Sequence, residues 1–309
     1  MDVTLQELRY IVAVADRRHF GRAAADCFVS QPTLSTQVKR LEERLGVRLF
    51  ERTNKQVWLT PEGERIVARA RLVLEAARRL EETAAGLRDP LSGEFRLGVI
   101  ATLAPYLLPL ALSSLKRRCP KLKLIVREGL TAGLLSELRE HRLDAVLLSL
   151  PAGGEALETA PLFDEPFLLA CPRNHPLAKR RRASAAEIPP GELLLLAEGH
   201  CLRDQALDVC GTHGTGAGAD DFQATSLETL VELVAAGAGC TLIPALAWER
   251  LRERNPGIAA MPLAGRGARR RIGLAWRRTY PRREVLSAIR EVITSQLPLD
   301  RVQVASSRE

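Results

Sequence analysis

Apolar positions along the first 88 residues recur at helical spacing. Leu5, Leu8, Val12 and Ala15 line the inner side of a first helix opened by the capping box Thr4-Leu-Gln-Glu7. A short second helix is predicted around Gly21 to Cys27. After a turn near Phe28-Val29, Ser30 caps a third helix that takes Pro32 in its first turn and ends at Gly46. Leu34, Val38, Leu41 and Leu45 give that third helix one buried face. Glu51 to Thr60 reads as a hairpin turning at Asn54-Lys55, a wing, and Thr60 with Pro61 then opens a long helix. Its apolar residues Ile66, Ala70, Val73, Ala77, Leu80, Ala84 and Leu87 alternate at intervals of four and three. That period is the seam of a coiled-coil pair, and it predicts a dimer presenting two third helices to two half-sites.

Gly86 to Gly93, with Asp89-Pro90 and Ser92-Gly93, breaks the helix and marks a hinge. Beyond it the pattern changes period. Phe95–Ile100, Leu122–Arg127 and Ala145–Leu150 read as strands, alternating with helices over Pro105–Arg118 and Leu134–His141, and such alternation predicts a parallel sheet covered by helices. A second α/β unit is expected from the runs Glu165–Ala170 and Glu192–Leu196, the segment Cys201–Cys210, a helix capped at Thr225-Ser-Leu-Glu228 and a strand at Cys240–Ile243. Arg271–Trp276 returns to the first unit.

Composition narrows the class. The 309 residues are ordinary for a soluble globular protein, 46% hydrophobic and 27% charged. No apolar run reaches membrane-spanning length, and no secretory leader precedes the first helix, so a cytoplasmic protein without a membrane partner is expected. The net charge of +8 is concentrated towards the N-terminal end: residues 1–88 carry 16 Lys+Arg against 12 Asp+Glu, the other 221 residues 29 against 25. This tilt fits a polyanionic partner. In the third helix Gln31, Pro32, Thr33, Ser35, Thr36 and Lys39 lie in the N-terminal turns outside the buried face. Short hydrogen-bonding side chains with a basic residue suit base edges and phosphates of double-stranded DNA, and Arg52 of the wing suits the backbone or a minor groove.

Candidate covalent chemistry centres on Cys201 and Cys210. His200 and Arg203 flank Cys201, and positive charge beside a thiol favours the nucleophilic thiolate. Leu202 to Val209 should be mainly helical, which sets the two α-carbons roughly 13 Å apart on opposite faces. A disulfide needs about 4.4–6.8 Å, so the pair can join only if the segment unwinds, as a redox switch would. The other cysteines have less cationic company: Cys27 and Cys240 read as core residues, and Cys119 and Cys171 receive no role. His200, Cys201, Cys210 and His213 also offer four zinc-type ligands, but their spacing matches no common pattern, and neither metal nor cofactor is assigned.

Several of these stretches carry a resemblance. His19-Phe-Gly-Arg-Ala-Ala-Ala, Ser30-Gln-Pro-Thr-Leu-Ser35, Leu41-Glu-Glu-Arg-Leu-Gly46, Leu49-Phe-Glu-Arg-Thr53 and Leu59-Thr-Pro-Glu-Gly63 resemble, in order, the N-terminal domain of LysR-type transcriptional regulators. The resemblance implies a winged helix-turn-helix DNA-binding domain at 1–60, a linker and dimerisation helix at 61–88 and a hinge at 89–93. It implies an α/β effector half of two Rossmann-like subdomains like those of periplasmic binding proteins: the first at 94–164 and 270–300, the second, carrying the redox cysteines, at 165–269. A homodimer or homotetramer acting with RNA polymerase on promoter DNA in the nucleoid follows. An organic co-inducer in the inter-subdomain cleft is the family default.

His200-Cys-Leu-Arg-Asp-Gln-Ala206 with Cys210, Ala224–Leu230, Pro105–Pro109 and Leu162–Pro166 further resemble the branch of this family that senses hydrogen peroxide. That resemblance implies Cys201 as peroxidatic and Cys210 as resolving cysteine, with Thr102, Thr131, His200, Arg203 and Asp204 holding peroxide and water or tuning the thiolate. It implies a glutaredoxin- or thioredoxin-type reductant and no enzymatic turnover. Two departures stand out: Gly211–Gly218 is unusually glycine-rich, which would make Cys210 more mobile, and Ala101 stands where that branch has proline.

Overall fold

The computed structural model describes residues 3–52, 57–86, 89–152, 154–189, 191–211, 224–265 and 267–305. The chain divides into two compact units, residues 1–88 and 89–309.

In the first unit α1 (Leu5–Arg17), α2 (Phe20–Asp26) and α3 (Gln31–Leu45) each begin at the polar residue that satisfies a free backbone donor. Thr4 accepts from Glu7 N in a closed capping box, His19 Nδ1 from Arg22 N and Ser30 Oγ from Thr33 N. Gly46 ends α3 in the left-handed conformation at φ 69. Ile11, Val14, Ala23, Leu34, Val38 and Leu41 close a core around which β1 (Phe50–Arg52) and β2 (Val57–Leu59) pair antiparallel as the wing. The turn expected at Asn54-Lys55 lies outside the described residues.

Thr60 then donates to Arg48 O and accepts from Gly63 N, starting α4 (Pro61–Gly86). A Cβ on Gly63 would lie 2.1 Å from Leu49 O, so only glycine lets helix and wing approach this closely. The stripe read as a coiled-coil seam divides in two: Ala70 is buried and Ile66 half-buried in the core of their own unit, with Val67, whereas Val73 and Leu80 are 48% and 75% exposed.

The second unit opens with β3 (Gly93–Ile100), α5 (Ala104–Arg118), β4 (Leu122–Gly129), α6 (Thr131–Arg139) and β5 (Ala145–Leu150). β4, β3 and β5 are parallel neighbours, as the alternation predicts. The rest of the sheet corrects the expectation of parallel pairing. β6 (Leu157–Pro172) is one 16-residue strand, of which only 165–170 was expected. Its second half pairs antiparallel with β8 (Thr241–Pro244) and with β9 (Ile258–Ala264); its first half pairs antiparallel with β10 (Arg269–Arg277), which lies antiparallel to β5. Both subdomains thus share one continuous strand.

Short β7 (Ala183–Ser184) edges β9, and the helices of this half are α7 (Cys201–Cys210), α8 (Leu227–Ala235) and α9 (Trp248–Arg254). α10 (Arg283–Ser295) and β11 (Gln303–Val304) complete the chain. The run Glu192–Leu196 is not a ladder strand: only isolated bridges tie Leu193 to Cys240 and Leu196 to Ala224.

Candidate functional site

Four polar or thiol side chains meet where the second unit's two halves face each other. Thr102 follows β3, Thr131 is the first residue of α6, His200 precedes α7 and Cys201 begins it. With Ile100, Ala101, Gly129, Leu130 and Gly199 they line a small cavity of about 10 Å³. Gly199 sits at φ +89, where an L side chain would be strained, and a Cβ there would lie 3.1 Å from Leu130 Cδ1, so glycine eases the path of the backbone that brings Cys201 to the cavity wall.

Each side chain has a distinct state. Thr102 is 3% exposed, and its Oγ1 accepts from Arg270 Nη1 at 2.8 Å, which leaves the hydroxyl proton to donate elsewhere. Thr131 Oγ1 is buried and has no hydrogen-bond partner, an arrangement that favours a polar ligand. Burial pushes the His200 imidazole below its ordinary value, partly opposed by its hydrogen bond with the Thr225 backbone, so the ring is neutral near pH 7. His200 is therefore not the cation expected beside the sulfur. Arg203 donates to Leu196 O at 3.0 Å, tying α7 to the chain before it. Cys201 is the first residue of α7, at the end of the helix where free amides point outward.

Arg203 and Asp204 are not among the cavity-lining residues, and Asp204 is exposed on the first helical turn. Cys210 closes the other end of the ten-residue helix, and nine helical steps of about 1.5 Å hold its α-carbon roughly 13 Å from that of Cys201. Burial raises its thiol pKa, which keeps it protonated at rest. The glycine-rich stretch beyond Gly211, including His213, lies outside the described residues. Gln205 of the same helix donates from Nε2 to Ser149 Oγ of β5 at 2.7 Å, a bond from one subdomain to the other.

Sequence reasoning missed Arg270 and Glu165. Both side chains are fully buried; Arg270 donates to Glu165 and to the hydroxyl and carbonyl of Thr102, and Glu165 accepts Leu246 N at 2.8 Å. Arg269-Arg270-Arg271 reads as a solvated basic run. Strand alternation carried the signal, since it places Arg270 on the face of Ile272 and Leu274.

In the first unit Gln31, Pro32, Thr33, Thr36 and Lys39 are exposed together on the opening turns of α3, with Ser35 half-buried among them. Arg52 lies in β1 and its side chain is outside the described positions.

Residues 5–64 match the bacterial regulatory helix-turn-helix protein, lysR family, and residues 88–298 the LysR substrate binding domain. The chain belongs to the LysR family. LysR-type relatives match along nearly its whole length. The Escherichia coli K12 "DNA-binding transcriptional dual regulator OxyR" is 43% identical over 96% of both chains, and a Mycobacterium avium "Probable hydrogen peroxide-inducible genes activator" 46% identical over 95% of both. Among solved structures, a full-length cysteine-to-aspartate variant of Pseudomonas aeruginosa OxyR is 38% identical with a TM-score of 0.81, covering 100% of both chains. A cysteine-to-serine variant of Corynebacterium glutamicum OxyR with bound H2O2 is 35% identical, with a TM-score of 0.64 over 96% of this chain and 93% of that one.

Proposed function

We propose that this LysR-type regulator senses hydrogen peroxide through Cys201 and Cys210 and transmits the change to promoter binding. The observation that carries the reading is the small polar cavity holding Cys201 with Thr102, Thr131 and His200, while Cys210 is held at the far end of a helix. A cavity of about 10 Å³, close to the space of one water-sized molecule, fits a ligand as small as peroxide far better than the organic ligands that fill pockets of roughly 300–1,000 Å³. The names of the relatives, and the peroxide bound in one of them, support the same assignment.

In the first step the Cys201 thiolate attacks one peroxide oxygen. The O–O bond breaks, the sulfur becomes a sulfenic acid and the departing hydroxide takes a proton as water. Thr102 and Thr131 donate to the peroxide oxygens, and neutral His200 accepts or relays a proton. In the second step the Cys210 thiol displaces water from the sulfenic acid and the S–S bond forms. The helix between the two must unwind for this, because its ends are too far apart. A glutaredoxin- or thioredoxin-type dithiol restores the pair by exchange. Each cycle consumes one peroxide, so the protein acts as a cytoplasmic, nucleoid-bound sensor with no sustained turnover.

Arg203 tethers α7 and Asp204 complements its helix dipole; both act by setting the stability of the reduced helix. The exposed half of the α4 stripe pairs two copies, and the dimer or tetramer engages double-stranded DNA through α3 and Arg52, together with RNA polymerase. Peroxide treatment of reduced protein followed by disulfide mapping tests the reading: a Cys201–Cys210 link is expected, and an unlinked pair with unaltered operator binding overturns it.

A further inference from the structure

A second cluster of metal-ligating side chains lies in the same half of the regulatory unit. His175, Glu192 and Cys240 bring one donor atom each within 4.8 Å of one another. They come from three separate pieces of chain: His175 just beyond the end of β6, Glu192 on the segment that precedes α7, and Cys240 immediately before β8. The thiol of Cys171, the penultimate residue of β6, is in hydrogen-bond contact with that of Cys240 but lies outside the group of mutually close donors. His175 Nε2 lies 3.1 Å from Glu192 Oε2, while Cys240 and Cys171 are fully buried and the Glu192 side chain is 42% exposed. The cluster therefore has a closed sulfur floor and an open carboxylate side through which an ion can enter.

From this geometry we infer a binding site for a thiophilic divalent cation of the zinc type, held by Cys240, His175 and Glu192 with Cys171 as fourth donor. Donors around one tetrahedral zinc stand roughly 3.3–3.7 Å apart, given metal–ligand bonds of about 2.0–2.3 Å, so modest side-chain movement closes the set of His175, Glu192 and Cys240, and Cys171 must turn from its contact with Cys240 to join them. Two sulfurs, an imidazole and one carboxylate select zinc-like ions over magnesium or calcium, which take oxygen.

Binding has a definite proton balance. Leu177 N donates to His175 Nδ1 at 3.2 Å, so in the ion-free protein Nε2 carries the ring proton and donates it to Glu192. Coordination through Nε2 moves the ring proton to Nδ1 at the expense of the Leu177 bond, and the coordinated thiols release theirs. The bound ion would pin Glu192, nine residues before Cys201, to β6 and β8. It would thereby fix the anchor from which the Arg203–Leu196 tether holds α7.

The test uses full-length protein carrying Cys201→Ser and Cys210→Ser, kept reduced with a phosphine and titrated with Co2+. One equivalent bound per chain, with thiolate-to-cobalt charge-transfer absorption and tetrahedral visible bands displaced by Zn2+, is expected. Cys240→Ser should weaken the charge-transfer band, and the double change Cys240→Ser with Cys171→Ser should remove it. Because a buried cysteine variant can fail to fold, His175→Gln and Glu192→Gln, both nearer the surface, are measured beside it with circular dichroism. Outer-shell changes alone cost metal sites about 10–100-fold in affinity, so each of these direct-ligand variants should lose at least that much. Absence of the band in the parent, or unchanged Co2+ affinity in both His175→Gln and Glu192→Gln, overturns the site. Neither result bears on whether Cys201 and Cys210 form a disulfide.

Discussion

The regulatory unit holds two pairs of cysteines built on opposite principles. Cys171 and Cys240 sit side by side near the ends of the paired strands β6 and β8, fully buried and in contact. Cys201 and Cys210 stand at the two ends of one helix, half-buried and roughly 13 Å apart. The close pair lies one residue beyond the last rung of the β6–β8 ladder, Ala170 opposite Thr241. The distant pair spans an element of ten residues with its own C-cap glycine, tied to the other subdomain by the Gln205–Ser149 hydrogen bond. Proximity of sulfurs therefore does not make a switch. What makes one is a reactive sulfur reachable by oxidant and a segment whose folded form opposes the bond.

The largest expected effect separates the two pairs outright. Cys201→Ser should abolish peroxide-dependent disulfide formation and the transcriptional response, whereas Cys210→Ser should leave a sulfenic acid at Cys201 that a dimedone-type probe captures. Cys171→Ser should leave both readouts intact. A peroxide response that survives Cys201→Ser would erase the contrast.

Next in size is the buried pair beneath the cavity. Arg270→Met strands the Glu165 carboxylate in a fully buried position, and breaking such a pair costs about 3–5 kcal/mol, measurable by urea unfolding. Because Arg270 also holds the Thr102 hydroxyl, peroxide oxidation should slow in the fraction that folds.

A smaller effect tests the cavity itself. Thr131→Val keeps the shape and removes a donor that has no protein partner, so the second-order rate of Cys201 oxidation should fall ~10²-fold with little change in stability. An unchanged rate would move peroxide away from α6.

The smallest effect is a pH dependence. Burial lowers the folded-state pKa of His200 below the 6.5 of the free side chain, so the stability tied to keeping the ring neutral is complete above pH 6.5. It declines as pH falls towards the folded value, because the unfolded chain takes up the proton first. Melting temperature followed from pH 7.5 to 5 should drop more steeply in the parent than in His200→Gln.

Much of this architecture was legible in the residues because local rules governed it. Thr4, Ser30, Gly46 and Thr60 mark helix ends by their own hydrogen bonds or backbone freedom, and each mark was met. Cys201, His200, Thr102 and Thr131 line one cavity as the family resemblance implies. The parts that escaped depend on distant partners. Pro161 and Pro166 interrupt β6 as written, yet the strand runs through both along β10, with a register shift beside Pro161 where Leu162 is left without a partner in the ladder. Glu192–Leu196 has the apolar run of a strand but finds only isolated bridges. Arg270 and Glu165, 105 residues apart, explain each other only once the sheet is assembled. The α4 stripe misled in part because its first turns also close the core of their own unit.

The bond from Gln205 to Ser149 joins the redox helix to the opposite subdomain. Thermodynamic linkage makes such a connection reciprocal. If losing the helix alters how the protein grips an operator, then gripping the operator alters how readily the helix is lost. The reduction potential of Cys201 and Cys210 is then a property of the protein–DNA complex, and two promoters bound with different preference would set two different thresholds for the same oxidant.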